Sequence, residues 1–280
     1  MRMCVGSMVA LLWLMPQLVA AQERPYFVTY DHYLEEPGNL EVAVASTSGF
    51  PRGKSPSYTA PWTELEYGLT GWWTTELYLE EVTAHRDGSA FAGWRWEHRL
   101  RPLRGEHRVN PVFYVEYEQI NEATRMQNEI VGSGRLPSGP VAQLHNEHAR
   151  ELEGKIILSS AAHGWNVSEN VIIEKNLSAS EGLEFGYSVG VARSLGGLAT
   201  GISCHLCREN FVAGLEAYGG LGSTQERTLH DTRHYLAPVL AWHLTGHSTF
   251  KVSGAIGLTA ASDRALLRVG YAYEVAVRGR

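Results

Sequence analysis

The sequence predicts an all-β fold: an antiparallel transmembrane β-barrel of about 12 strands in the outer membrane of a Gram-negative bacterium. Apolar and polar residues alternate with a period of two in segments of about ten residues, as in strands whose two faces meet different solvents. After residue 21, no apolar stretch is long enough to cross a membrane as a helix. Short and long connections alternate along the chain, as they do at the two ends of such a barrel.

Residues 1–21 have the three-part layout of a secretory signal peptide. Arg2 supplies the positive charge, an apolar run extends from Val9 to Leu14, and the small pair Ala20-Ala21 precedes the expected cleavage point. A membrane anchor is the alternative, but the apolar run is too short to span the bilayer as a helix. We therefore expect residues 22–280 to form a single outer-membrane barrel domain.

The period-two alternation assigns one face of each strand to lipid and the other to the lumen. In the segment 73–80, Trp and Leu residues share one face with Thr75, while the other face carries Thr74, Glu76, Tyr78 and Glu80. A soluble β-sandwich is the alternative, since its strands alternate in the same way. A sandwich usually mixes Lys, Thr, Ser and Glu on its polar face, whereas glutamate and glycine dominate here. The barrel is therefore favoured.

The connections and the tryptophans give further support to a barrel. The predicted periplasmic turns at 70–71, 160–164 and 245–247 are short, and the predicted external connections at 46–60, 120–147 and 219–233 are longer. The connection 194–210 is also predicted to be periplasmic, but it is longer than a periplasmic turn usually is. Several tryptophans lie beside predicted turns, as an interfacial aromatic girdle requires: Trp62, Trp72, Trp73 and Trp165.

The polar face predicts an acidic lumen. The residues expected to line it are Glu64, Glu66, Glu76, Glu80, Arg95, Glu97, Glu116, Glu118, Glu153, Glu184 and Glu216. Carboxylates around a water-filled pore favour cations and molecules with hydrogen-bond donors. Alternatively, these glutamates pair with basic residues of neighbouring strands and fill the interior. The sequence leaves both possibilities open.

Two cysteines remain once Cys4 has left with the signal peptide. Cys204 and Cys207 lie in the long periplasmic connection, where an oxidising compartment favours a disulfide between them. Metal binding by this pair with His205 and a free redox pair are the alternatives. A single Cys-x-x-Cys lacks the second ligand pair of a zinc site, so no metal site and no cofactor are predicted.

A membrane-embedded lipid hydrolase is the enzymatic alternative. Ser159 or Ser160, with His163 and Asn166 nearby, offers a nucleophile, a base and an orienting side chain. These residues surround a predicted turn, and no Gly-x-Ser-x-Gly elbow occurs in the chain. We therefore predict no catalytic residues and no enzymatic activity.

Two segments resemble a known group of outer-membrane proteins. The stretch 62–80, WTELEYGLTGWWTTELYLE, and the stretch 211–222, FVAGLEAYGGLG, are similar to strands of the transporter-like barrels grouped with the phenol-degradation outer-membrane proteins. The resemblance implies passive uptake of small molecules, with no catalytic residues and no cofactor. One departure is the tail 276–280 after Val275, because barrels of this group end on an aromatic residue.

Together these observations predict a monomeric barrel in outer-membrane lipid that passes or binds small solutes, cationic or aromatic, through its acidic lumen. A non-conducting envelope scaffold or anchor is the alternative from another class. The formal net charge of −6 is mild and spread along the chain, which argues against nucleic acid as a partner.

Overall fold

The computed structural model describes residues 24–85, 88–121, 149–198 and 206–277. Its twelve antiparallel strands form one closed barrel, in which β1 pairs with β12. The strands are β1 Asn39–Phe50, β2 Tyr58–Thr70, β3 Trp73–Ala84, β4 Gly88–Leu100, β5 Asn110–Ile120, β6 Ala149–Ala162, β7 Trp165–Asn176, β8 Glu184–Ser194, β9 Phe211–Ser223, β10 His234–Thr245, β11 Ser248–Gly257 and β12 Ala265–Ala276. The predicted all-β barrel is confirmed. The predicted signal peptide lies outside the described residues.

Two 3-10 helices, Leu195–Leu198 and Arg208–Asn210, lie in the connection between β8 and β9. In the described part of the chain, no helix is long and apolar enough to span a membrane.

The outward face of the barrel is a belt of exposed apolar side chains. Val44 and Val171 are each 52% exposed, and Ile156 is 47% exposed, although all three lie near the middle of their strands. A continuous apolar surface of this kind in water would drive association, whereas in lipid it is the expected outer surface. The carboxylate of Glu169 interrupts this face in β7. The belt therefore faces the membrane.

The two ends of the barrel differ in their connections. We call the end with the connections after β2, β4, β6, β8 and β10 the turn end, and the opposite end the loop end. The turns at 71–72, 163–164 and 246–247 are short, as predicted. The connection 101–109 is a second long one at the turn end, where the sequence predicts only one, 194–210. Most of the predicted external loop 120–147 lies outside the described residues.

The tryptophan girdle is present only in part. Trp72 and Trp165 are exposed at the turn end, where an aromatic belt would meet the lipid headgroups. The prediction for Trp62 is wrong, because this residue lies on the inward face of β2 and lines the lumen. Its position beside a predicted turn did not show which face it occupies, since β2 begins four residues earlier, at Tyr58.

The chain before β1 runs inside the barrel. We call residues 24–38 the plug segment. Tyr26, Asp31 and His32 in this segment are 0% exposed, although they belong to no strand or helix. The sequence pattern predicts a lumen lined by strand side chains alone. The interior is therefore filled by both the inward face of the strands and a separate segment of the chain.

A charge placed in the middle of the outward face should destabilise the barrel. Val269 and Val275 lie on the same face of β12, Val269 near the middle of the strand and Val275 near its end. We expect Val269→Arg to lower the free energy of unfolding by about 2–4 kcal/mol and Val275→Arg by about 1 kcal/mol or less. Denaturant titrations in phosphatidylcholine vesicles measure both values. Equal costs at the two positions would contradict a lipid-facing belt.

Candidate functional site in the barrel lumen

A row of glutamates crosses the inside of the barrel. Each member is the direct cross-strand partner of the next, on strands that follow one another around the wall. We call this set the glutamate row: Glu274, Glu41, Glu66, Glu76, Glu97, Glu116, Glu153, Glu174 and Glu184. Because barrel strands are tilted, the row climbs from the turn end at Glu274 to the loop end at Glu184.

Like charges directly opposite one another destabilise a sheet, so the row needs counter-charges. Arg99 contacts Glu66, Glu76 and Glu97, with its Nε atom 3.2 Å from the Glu97 carboxylate. Arg95 lies 3.2 Å from the carboxylate of Glu116. These two basic side chains come from β4, one on each side of the row.

Two more basic side chains contribute to the compensation. Lys155 Nζ lies 2.8 Å from Glu153 Oε1, and Arg95 also lies 2.7 Å from Glu80 Oε1, beside the row. Arg24 of the plug segment lies 2.8 Å from Glu64 and 3.8 Å from Glu76. The lumen therefore contains a network of ion pairs in which one cation comes from outside the strands.

Each predicted lumen residue lies on the inward face. Glu64, Glu66, Glu76, Glu80, Glu97, Glu116, Glu118, Glu153 and Glu216 are buried there, and Arg95 and Glu184 are half-buried. The period-two pattern of the strands does not identify Arg24 or the plug segment. A signal was available, because residues 24–35 combine four aromatic residues with charged ones immediately before the first strand.

The backbone of the plug segment is bound by one carboxylate. Glu216 on β9 accepts hydrogen bonds from the backbone N–H groups of Phe27 at 3.2 Å, Val28 at 2.9 Å and Thr29 at 2.7 Å. Asn170 on β7 continues this pattern, since its side chain accepts from the N–H of Tyr30 and donates to the Tyr30 carbonyl. Barrel side chains thus satisfy the backbone groups that an irregular buried segment would otherwise leave unpaired.

Side chains of the plug segment add further bonds to the barrel wall. The Tyr26 hydroxyl donates to Asn166 Oδ1 at 2.9 Å, and the Tyr30 hydroxyl donates to Glu97 at 2.9 Å. The Tyr30 ring lies edge-on to Tyr114, with ring centroids 5.1 Å apart. The segment is therefore bound along its length.

His32 connects the plug segment with two parts of the barrel. Its Nδ1 lies 2.7 Å from Ser159 Oγ on β6, and its Nε2 lies 2.9 Å from Glu106 in the connection 101–109. Burial lowers the pKa of the His32 imidazole. The ring is therefore neutral near pH 7, so that Nε2 donates to Glu106 while Nδ1 accepts the Ser159 hydroxyl proton.

Ser159, His32 and Glu106 follow the order of a hydrolytic triad, but the burial of Ser159 and His32 indicates an anchor. Ser159 is 1% exposed and His32 is 0% exposed, whereas a nucleophile must reach its substrate. The pairing with His163 that the hydrolase alternative requires does not form, because Ser159 bonds with His32 and Ser160 bonds with the Arg108 carbonyl. The structure thus gives no support to the hydrolase candidate built on His163.

The plug segment helps to line two separate cavities. The inner cavity, of 110 Å³, is lined by Arg24, Tyr30, Glu64, Glu80 and Glu116 among others. The vestibule, of 810 Å³, opens at the turn end and is lined by Pro25, Tyr33 and the strand ends around residues 161–166 and 243–249. The two cavities share no lining residue.

Three groups of carboxylates are close enough to share a cation. The ligand oxygens of Glu116, Glu118 and Glu153 lie within 4.8 Å of one another, and similar groups form around Glu41. Hard cations such as Ca²⁺ take oxygen ligands of this kind. Two members of the first group already bind side-chain cations, since Glu116 contacts Arg95 and Glu153 contacts Lys155.

The predicted disulfide falls at the edge of the described chain. Cys207 immediately precedes the 3-10 helix Arg208–Asn210, and Cys204 lies outside the described residues. The pairing of Cys204 with Cys207 stays a prediction.

No protein-family model matches the sequence, and no curated protein matches it either. Among solved structures, an outer membrane channel from Pseudomonas putida F1 superposes with a TM-score of 0.53 at 11% identity. The match covers 91% of this chain and 100% of that one. The chain has the fold of an outer-membrane channel. The predicted outer-membrane barrel class and outer-membrane location are confirmed.

Other structures are similar at lower scores. A NanC porin has a TM-score of 0.48 at 13% identity, over 84% of this chain and 100% of that one. The outer membrane phospholipase A from Escherichia coli has a TM-score of 0.42 at 9% identity, over 86% of this chain and 93% of that one. These two scores are too low to establish a common fold. The particular relation to the phenol-degradation group stays a prediction.

Loss of the Glu216 carboxylate should release the plug segment. Glu216→Ala leaves the N–H groups of residues 27–29 without their acceptor, and each unsatisfied buried donor costs on the order of 1–3 kcal/mol. We expect amide hydrogen exchange at these residues to accelerate at least about tenfold, as measured by mass spectrometry. Glu153→Gln is the matched control, because that carboxylate pairs with Lys155. Unchanged exchange in Glu216→Ala would contradict this anchoring role.

Proposed function

We propose that the protein is an outer-membrane channel that admits small cationic solutes through its lumen, and that the plug segment limits their passage. The observation that carries this proposal is the glutamate row, which lines the wall from the turn end to the loop end. In an outer-membrane barrel the turn end faces the periplasm. The row therefore offers carboxylates along the whole path of a solute.

The charge balance of the interior supports cation preference. Fifteen Asp and Glu side chains but only four Lys and Arg side chains are buried among the described residues. Arg24, Arg95 and Lys251 also line the inner cavity, which brings the basic total to seven. An acidic excess within low-dielectric walls concentrates cations and repels anions.

The plug segment determines how wide the path is. It lines both the inner cavity and the vestibule, and it is bound to the wall by Glu216, Asn170 and Ser159. A solute larger than a small ion passes only when part of this segment shifts. This arrangement supports passive passage of solutes, with low conductance while the plug segment is in place.

The relation to the phenol-degradation group forms part of the proposal. It is supported by the resemblance of residues 62–80 and 211–222 and by the aromatic lining of the inner cavity. That lining includes Tyr26, Tyr30, Trp62 and Tyr78. Solutes that combine a positive charge with a flat or aromatic group suit such a surface.

Planar-bilayer recording of the refolded mature chain tests the channel. We expect small conductance steps, and reversal potentials in a salt gradient should show a preference for cations. The double substitution Glu116→Gln with Glu153→Gln should lower the cation-to-anion permeability ratio by about a factor of two or more, because it removes two charges from the row. Glu181→Gln, at an exposed position in the loop between β7 and β8, is the matched control.

The same recordings test the role of the plug segment. Glu216→Ala should raise the mean conductance, because the released segment leaves a wider path. An inserted, folded barrel that conducts in neither form would overturn the channel and favour an envelope scaffold. Anion preference in the unmodified chain would overturn the role of the glutamate row.

A further inference from the structure

One basic side chain of the plug segment is held in the manner of a bound ligand. The Arg24 guanidinium donates from Nη2 to Glu64 Oε1 at 2.8 Å and to the Tyr78 hydroxyl at 3.3 Å. Its central carbon lies 4.3 Å from the centre of the Tyr30 ring. Glu76 lies 3.8 Å from the same nitrogen. Two carboxylates, a phenol and an aromatic face thus surround one cation.

Three of the four groups that surround Arg24, namely Glu76, Tyr78 and Tyr30, have other partners in the barrel. Glu76 is fixed by Arg99 and by the Tyr78 hydroxyl. Tyr30 is fixed through Asn170, which bonds to both its N–H and its carbonyl, and through Glu97, which accepts its hydroxyl. Removal of the Arg24 side chain would therefore leave a formed pocket, in which Glu64 has lost the cation that bonds to it in the structure.

One carboxylate oxygen of Glu80, in the same cavity, has no hydrogen-bond donor. The Glu80 side chain is 1% exposed, and Arg95 contacts only its Oε1. Its Oε2 is buried and accepts no hydrogen bond within the described part of the chain. Glu80 lines the inner cavity together with Arg24 and Glu64, and its strand position is opposite Trp62, two residues from Glu64. A buried carboxylate oxygen without a donor is costly unless a ligand supplies one.

We propose that the pocket of Tyr30, Glu64, Glu76 and Tyr78 binds the guanidinium or primary ammonium group of a small organic cation, and that Arg24 is its internal competitor. This inference rests on the proposed function, because it names the class of solute that the acidic lumen takes. A solute cation occupies the pocket when Arg24 leaves it, and the side chain returns when the solute moves on.

The geometry favours a guanidinium over a metal ion. A guanidinium is planar, so one face can lie on the Tyr30 ring while its edge donates to Glu64 and Tyr78, as Arg24 does. A bare alkali cation would contact the carboxylates, but it would lose much of its hydration shell against the aromatic face. The expected order of affinity is methylguanidinium, then methylammonium, then potassium.

Calorimetric titration of the refolded mature chain in detergent micelles tests the pocket directly. Methylguanidinium chloride is the probe, and potassium chloride at equal ionic strength is the reference. We expect Arg24→Ala to bind methylguanidinium at least about tenfold more tightly than the unmodified chain, because the internal competitor is gone. The double variant Arg24→Ala with Glu64→Gln should lose this binding, since the carboxylate that held Arg24 has been neutralised.

Each outcome decides the inference. A folded Arg24→Ala barrel that binds no methylguanidinium overturns it, and so does equal binding by the unmodified chain, which would place the site elsewhere. If Arg24→Ala does not fold, Arg24→Gln supplies the same test with a neutral side chain that retains hydrogen-bonding groups. Binding is measured without conductance, so a barrel that binds but never conducts would overturn the proposed function alone. A barrel that conducts but does not bind would overturn this inference alone.

Discussion

The interior of this barrel depends on the compensation of buried carboxylates. Neighbouring strands place glutamates directly opposite one another over nine positions, from Glu274 to Glu184. Uncompensated, such a row would repel itself and resist burial. Arg95 and Arg99 lie on either side of it, and Arg24 brings a further cation from the plug segment.

The plug segment and the barrel wall supply each other with hydrogen-bond and ion-pair partners. An irregular segment has backbone N–H and carbonyl groups that need partners when buried, and the inward face supplies Glu216 and Asn170 at the required positions. In return, the segment supplies Arg24 to Glu64 and the Tyr30 hydroxyl to Glu97. Polar networks of this kind are stable only when nearly every member is paired. The acidic interior is therefore both a charged lumen and a binding site for part of its own chain.

This double role connects the structure to function. Carboxylates that hold Arg24 and the backbone of the plug segment are the same chemical groups that would attract a cationic solute. Competition between an internal and an external cation gives a simple means by which a plugged barrel admits one class of molecule. The order of Ser159, His32 and Glu106 shows the opposite case, in which residues familiar from catalysis anchor the segment, with Ser159 and His32 buried and Glu106 exposed.

The sequence by itself determined the twelve strands, their two faces and the inward position of the glutamates from Glu64 to Glu216, because a period of two is a local property of each strand. Tertiary structure alone decided that the glutamates form one row, since register depends on pairing between strands. It also placed residues 24–38 inside the lumen. Partners such as Tyr26 and Asn166, or Val28 and Glu216, are far apart in the chain, and no local pattern brings them together.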